Sequence, residues 1–357
     1  MQTGPTPKSS PTSNAGVSRY HRQSILPQFP AGAQDRLAST SVLIVGCGAL
    51  GCASAEQLVR AGVGRVAMVD RDVVEWTNLQ RQSLFDENDA RQGTSKAEAA
   101  TARLRQINSG VIVQPLAIDL DAGNIESVMA EQLTGRFNLV LDGTDNAQSR
   151  YLLNDACVKR GIDFVYAGVL GVEGRVLGVR PGKTPCLRCV FPQPPDAGEL
   201  DTCDTAGVLQ AAVAMVASVQ VTTAFRMIFD VFEPTLVRVN AWEMSVIATR
   251  AGEIDAACPC CQKRQFDFLN RPPQMSKLCG RNVVQVRTPN QQRLDLSVIA
   301  RRMEKLGTVQ TSGLMLKLVL DESPGLSMSI FADGRMLVFG TDSVSVAKSV
   351  MARVIGL

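Results

Sequence analysis

A chain of 357 residues, 45% of them apolar, can bury one large core and leave enough length for a small second domain. Its 37 Lys and Arg against 34 Asp and Glu give a formal net charge of +3, which argues against a broad nucleic-acid footprint while leaving room for a local basic cleft. The most apolar run, GVLQAAVAMVASVQV, is Ala-rich and broken by Gln210 and Gln220, so it predicts a buried helix and no membrane span.

In chain order, residues 1–18 are rich in Pro, Ser, Thr and Gly without an apolar h-region, which predicts a disordered tail and not a signal peptide. A cytoplasmic setting follows as the expectation. The 10 cysteines would then be reduced, so clustered ones point to metal or catalysis before disulfides. From Ser41 to about Tyr166, short apolar runs (SVLIVG, RVAMVD, VIVQPL, FNLVLD, FVYAG) alternate with helical stretches. That alternation predicts an α/β fold: a Rossmann-like, mostly parallel sheet with helices on both faces. The strand-like GRVLGVR, a Pro-rich loop around Pro192–Pro195 and the Ala-rich helix follow. The main domain is expected to span 19–268. A linker at 269–280 and a small α+β domain at 281–357 complete the chain, the latter read as β-α-β-β-β-α. Asp333–Gly334 between two alternating runs is a hairpin signal.

VLIVGCGALG carries Gly46, Gly48 and Gly51 in a G-x-G-x-x-G loop between a strand and a helix. Asp70 ends the next strand about 20 residues later, where an acid can bond ribose hydroxyls. These residues predict a nucleotide site without choosing between a dinucleotide and ATP. RDVVEWTNLQRQSLF, Lys96 and the acids Asp142 and Asp145 of LDGTDN favour ATP, because a triphosphate needs cations and a carboxylate-held Mg²⁺ whereas hydride transfer needs neither. No G-K-[ST] follows the loop, so this is not a Walker-type P-loop. Cys186-x-x-Cys189 and Cys258-x-x-Cys261 have the spacing of a structural Zn²⁺ site, with Cys260 a competing ligand in the second pair. His21 is the single histidine, which excludes a His-rich metal site. Trp76 and Trp242 are expected to be packing residues.

RYHRQ (Arg19–Gln23), the glycine loop, NLQRQ (Asn78–Gln82), TDN with RYLLNDAC, and the two C-x-x-C pairs occur in that order. Together they resemble the MoeB/ThiF/HesA branch of the ubiquitin-activating-enzyme-like superfamily, over about Arg19 to Phe268. The resemblance implies an adenylyltransferase that uses ATP and Mg²⁺ on the C-terminal glycine of a small ubiquitin-like sulfur-carrier protein ending in Gly-Gly, in thiamine thiazole or molybdopterin synthesis. It implies that Gly46, Gly48 and Gly51 cradle phosphates and that Asp70 holds the ribose. Asn78, Arg81 and Lys96 would contact the triphosphate, and Asp145 the Mg²⁺. Arg22 would reach the ATP of a partner subunit, so a homodimer is implied, with a cysteine desulfurase as a further partner. Cys203, on the loop that crosses the adenylate in relatives, would carry a covalent intermediate; a helix start beyond it favours the thiolate, and Asp201 and Asp204 oppose it. The one departure is Ala49 in place of a second adjacent glycine, expected to be tolerated at a helix start. Alternatives are activation of another carboxylate (a peptide C-terminus or modified tRNA base), a NAD- or flavin-dependent oxidoreductase, and a scaffold without catalysis.

Overall fold

The computed structural model describes residues 18–130, 136–195, 206–271, 282–288, 294–323 and 325–355. The apolar runs form β1 (Ser41–Val45), β2 (Arg65–Val69), β3 (Ile112–Leu116), β4 (Leu139–Asp142) and β5 (Asp163–Leu170). These five pair in parallel in the order β3-β2-β1-β4-β5. Every residue of β1 and β4 is buried, as strands covered on both faces require. Three antiparallel strands extend the sheet to eight: β6 (Glu173–Val179), β7 (Thr235–Asn240) and β8 (Ser245–Arg250). The sequence reading found β6 but not β7 or β8. In β8 every residue beyond the first is exposed, so no inside–outside alternation marks it.

The helices of the main domain include α1 (Ala33–Ser39), α2 (Ala49–Ala61), α3 (Glu87–Gln92), α4 (Lys96–Ile107), α5 (Ala147–Arg160) and α6 (Gln210–Ile228). The sheet separates two cores. Val42, Ile44, Leu58, Leu104 and Val216 meet on one side, under α2, α4 and α6. Leu43, Val140, Leu153, Phe164 and Cys186 meet on the other, under α5. Neighbouring residues Val42 and Leu43 thus face opposite layers, as the strand period dictates. By length and composition α6 could cross a membrane. It instead lies against α2, β5 and β6, with Ala212, Val213, Val216 and Ala217 buried.

The C-terminal lobe contains β9 (Val283–Arg287), α7 (Leu296–Met303), β10 (Gly307–Thr311), β11 (Met315–Leu320), β12 (Ser327–Phe331), β13 (Arg335–Phe339) and α8 (Val344–Ile355). Its antiparallel sheet runs β10-β11-β12-β13-β9. The expected β-α-β-β-β-α is therefore corrected by one strand. The missed one, β10, is the edge segment GTVQT, half-buried to exposed throughout, which buries too little apolar surface to announce itself. The Asp333–Gly334 hairpin forms where expected, with Gly334 at φ 83°. Val283, Met315, Phe331 and Leu337 join the main-domain core, so the lobe is docked rather than tethered.

Candidate active site and metal centre

The glycine loop leaves β1 and enters α2. Gly46 sits at φ +96°, and a Cβ there would lie 2.5 Å from the carbonyl oxygen of Gly143, in the loop after β4. A Cβ on Gly51 would fall under 3.0 Å from the carbonyl oxygen of Gly46. Both glycines are demanded by the loop's own packing. Gly48 is different. Its backbone is extended, and an added Cβ would meet nothing nearer than 3.8 Å. It is also the N-cap of α2 and supplies no side-chain cap, so the helix start offers N–H groups and its positive dipole end to a phosphate. Ala49 is already the first helical residue, which accommodates the departure from two adjacent glycines.

Asp70, at the exit of β2, closes the loop from the other side. Its Oδ2 accepts from the Cys47 N–H at 2.6 Å and its Oδ1 from the Asp72 N–H at 2.7 Å. Burial raises its pKa, and Lys96 opposes that rise. Lys96, 4% exposed at the start of α4, places Nζ 3.7 Å from Asp72 Oδ2. Cys47 and Cys52 are fully buried, and burial pushes the Cys52 thiol up to about 12, so both are inert packing groups. Asn78 is also fully buried. Its Oδ1 accepts from the Glu75 N–H at 3.0 Å, while its Nδ2 finds no partner among the described residues. Arg81 Nη1 donates to the Thr77 carbonyl at 2.8 Å.

The β4 exit supplies the acids. Asp142 is fully buried; its Oδ1 accepts from Thr144 N and Oγ1 at 2.9 and 2.7 Å, and its Oδ2 lies 3.7 Å from Arg150 Nε. Burial outweighs Arg150 and pushes its pKa up to about 6. Asp145 is exposed on the loop before α5, within electrostatic reach of Arg71. Gly46, Gly48, Gly51, Asp70, Asn78, Arg81, Lys96 and Asp145 thus all lie on connections leaving the C-terminal ends of β1, β2 and β4, the edge where open α/β sheets take ligands. The donor set suits ATP and Mg²⁺: an open glycine cradle, a buried lysine, an amide with no partner among the described residues, and a carboxylate.

Arg22 is not in this group. Gln23 Nε2 donates to the Ala61 carbonyl at 2.8 Å and the Tyr20 hydroxyl accepts from Asn108 Nδ2 at 2.9 Å, which pins the RYHRQ segment to the far end of α2. That end lies roughly 20 Å along the helix from the glycine loop. Cys203 lies outside the described residues. Trp76 and Trp242 are not packing residues; they are 56% and 76% exposed. Trp242 and Met244 stand exposed in the β7–β8 turn, and Val246 and Ile247 of β8 are exposed on opposite faces of the sheet.

On the opposite face of the sheet, Cys186, Cys189, Cys258 and Cys261 converge with all four sulfurs within 4.8 Å of one another. Neighbouring sulfurs are 3.4–3.8 Å apart. Tetrahedral Zn²⁺ with Zn–S bonds of about 2.3 Å needs sulfurs about 3.8 Å apart. Burial pushes the Cys189 thiol up to about 11, a cost that a metal displacing the proton removes. Cys260 is outside this set: its sulfur accepts from Asn154 Nδ2 at 3.3 Å. The same Asn154 accepts from the Leu187 N–H at 2.9 Å, and Asp155 accepts from the Phe268 N–H at 3.1 Å. These two α5 residues brace both cysteine loops. The sequence alone assigns no role to these two or to Arg150, all within RYLLNDAC, nor to Asp72 within RDVVEWTNLQRQSLF.

The sequence model of the ThiF family matches residues 20–260. The chain belongs to the ThiF family. Among its relatives, sulfur carrier protein ThiS adenylyltransferase of Bacillus subtilis (strain 168) is 40% identical over 344 residues, covering 95% of this chain and 100% of that protein. SAMP-activating enzyme E1 of Haloferax volcanii is 36% identical over 256 residues, 71% of this chain and 92% of that one. Adenylyltransferase and sulfurtransferase MOCS3 of Sus scrofa is 43% identical over 220 residues, 62% of this chain, which spans 47% of the MOCS3 length. In fold, this ThiF-family chain is similar to E. coli MccB solved with ATP, at TM-score 0.59 and 21% identity over 70% of this chain and 75% of that one.

Proposed function

We propose that this chain uses Mg·ATP to adenylate the C-terminal glycine carboxylate of a small ubiquitin-like sulfur carrier ending in Gly-Gly, preparing it for thiocarboxylate formation in thiamine thiazole or molybdopterin synthesis. The observation that carries the reading is the end-to-end similarity to a ThiS adenylyltransferase, joined to a cradle at Gly48 that leaves room for phosphate. A carrier carboxylate oxygen attacks the α-phosphorus. The bond from that phosphorus to the α–β bridging oxygen breaks, and pyrophosphate leaves. No proton moves, so positioning and charge neutralisation suffice. Lys96, Asn78 and Arg81 hold phosphate oxygens, Asp70 the ribose and Asp145 the metal. A bound Mg²⁺ would supply charge neutralisation on the leaving pyrophosphate. Cys186, Cys189, Cys258 and Cys261 hold a structural zinc.

Arg22 serves the partner's site in a homodimer; its anchorage at the far end of α2 supports this, because it cannot serve its own. The exposed Trp242 and Met244 of the β7–β8 turn suit an apolar carrier contact beside a sheet edge. The Cys203 thiolate would attack the carrier's acyl-adenylate, forming a thioester as AMP leaves, with a cysteine desulfurase as a further partner. The test is mass spectrometry of a purified ThiS-type carrier after incubation with enzyme and Mg·ATP. An AMP adduct on the intact carrier, absent when its last two glycines are deleted, is expected. No adduct on any Gly-Gly carrier would overturn the reading.

A further inference from the structure

The C-terminal lobe grips the nucleotide end of the main sheet through its own hairpin. Arg335, the first residue of β13, is fully buried, and its guanidinium lies 3.7 Å over the Phe331 ring. Its Nη1 donates to the carbonyl of Arg71 and its Nη2 to the carbonyl of Ala117 at 3.3 Å. Those carbonyls belong to the exits of β2 and β3. Arg71 stands between Asp70, which closes the glycine loop, and Asp72, which pairs with Lys96. Asp119, just beyond the β3 exit, accepts from Gln285 and Arg287 of the lobe at 2.9 Å each and from Arg71 at 3.3 Å.

A second grip lies beside the lysine. Glu98, two residues beyond Lys96 on α4, accepts from the Leu314 N–H at 2.8 Å and from the Ser312 hydroxyl at 2.6 Å. Lys317 Nζ donates to the Gln92 carbonyl at 2.9 Å, at the end of α3. The lobe therefore holds the segment carrying Asp70 and the segment carrying Lys96, and it touches both within two residues of the functional side chain.

We propose that the C-terminal lobe is part of the nucleotide-binding machinery, with Arg335 as a positioning residue that sets the Asp70–Asp72 turn for Mg·ATP. A buried guanidinium is costly unless its donors are used, and Arg335 uses one on the Arg71 carbonyl of that turn and one on the Ala117 carbonyl after β3, with Nε 3.7 Å from Asp333 Oδ2. Asp70 and Lys96 stand at opposite ends of the segment between β2 and α4, so small shifts between those ends degrade both contacts together. The inference rests on the adenylation reading above.

The experiment uses the full chain and Mg·ATP itself. Calorimetry gives Kd, and carrier-dependent pyrophosphate exchange gives KM for ATP and kcat. Arg335→Met is expected to raise Kd and KM by about ten-fold or more, with kcat at saturating ATP falling far less. Arg335→Lys should recover part of the loss, because an ammonium reaches one carbonyl and not two at once. Asp119→Asn, which leaves Arg335 in place, should shift Kd and KM in the same direction by less, and carries the test if Arg335→Met does not fold. Folded variants with wild-type Kd and KM, or a loss confined to kcat, would overturn the inference alone. Wild-type protein that binds no Mg·ATP would sink the adenylation reading, and this inference with it.

Discussion

Replacing Gly48 with alanine separates what the glycine loop does for the fold from what it does for the nucleotide. The backbone there is extended (φ −73°, ψ −162°), a conformation alanine adopts freely, and the nearest atom to the new Cβ is the Gly143 carbonyl oxygen at 3.8 Å. The folded state should therefore move by less than about 1 kcal/mol, since the stiffer unfolded chain offsets the poorer N-cap. For a protein this size that is a melting shift of about 2–4 °C at most. The methyl group instead occupies the space beside the open N-terminus of α2. We expect Kd for Mg·ATP to rise by about ten- to a hundred-fold, as steric loss of one or two phosphate hydrogen bonds implies. Gly51→Ala is the contrast, because its Cβ would fall under 3.0 Å from the Gly46 carbonyl oxygen. That variant should lose about 1–3 kcal/mol or more of stability whether or not nucleotide is present. Thermal unfolding and calorimetry on both variants decide the matter. A folded Gly48→Ala protein with wild-type ATP affinity would refute the assignment of the cradle to phosphate.

If the cysteine quartet holds zinc, Cys258→Ser and Cys261→Ser should lose it while Cys260→Ser keeps about one equivalent, by elemental analysis, and loss in the last variant would move Cys260 into the ligand set. For Asp142, the carboxyl titrates near 3.8 unfolded and about 6 folded. Folding therefore binds a proton between those values, and the stability this group contributes is present below about pH 4 and lost as pH rises through 6. Relative to wild type, Asp142→Asn should gain about 3 kcal/mol between pH 4 and pH 7 in denaturant titrations; a constant difference across that window would contradict the buried-acid account. If Arg22 serves its partner, mixing the inactive Arg22→Ala and Asp145→Ala proteins under subunit exchange should restore about one quarter of wild-type exchange, since half the dimers then hold one intact site. Mixtures as dead as either parent would place Arg22 elsewhere.

The glycine loop and Asp70 were legible in the sequence because strand, turn, helix start and acid follow one another within a short stretch. The cysteine quartet was legible from spacing, but only the fold shows Asn154 engaging Cys260 and leaving Cys258 and Cys261 free to join the others. Asp72 and Arg150 were not legible, because each acts through a partner, Lys96 and Asp142, that the chain reaches only after folding. Strands β8 and β10 escaped because they bury almost nothing. Trp242 misled for the opposite reason: a large aromatic side chain is expected inside, and here it stands on an exposed hairpin. The hairpin at Asp333–Gly334 was plain from its turn residues, yet nothing local in it says that Arg335 points into another domain.

The most direct test of the central claim is pyrophosphate exchange into ATP, measured with wild-type protein and with Asp145→Ala, each with a Gly-Gly carrier, with the same carrier lacking its last two residues, and with none. The account predicts exchange only for wild type with the intact carrier, and an Asp145→Ala protein that melts like wild type but exchanges at least about a hundred-fold more slowly. Exchange that ignores the carrier's terminal glycines, or that survives Asp145→Ala unchanged, would contradict it.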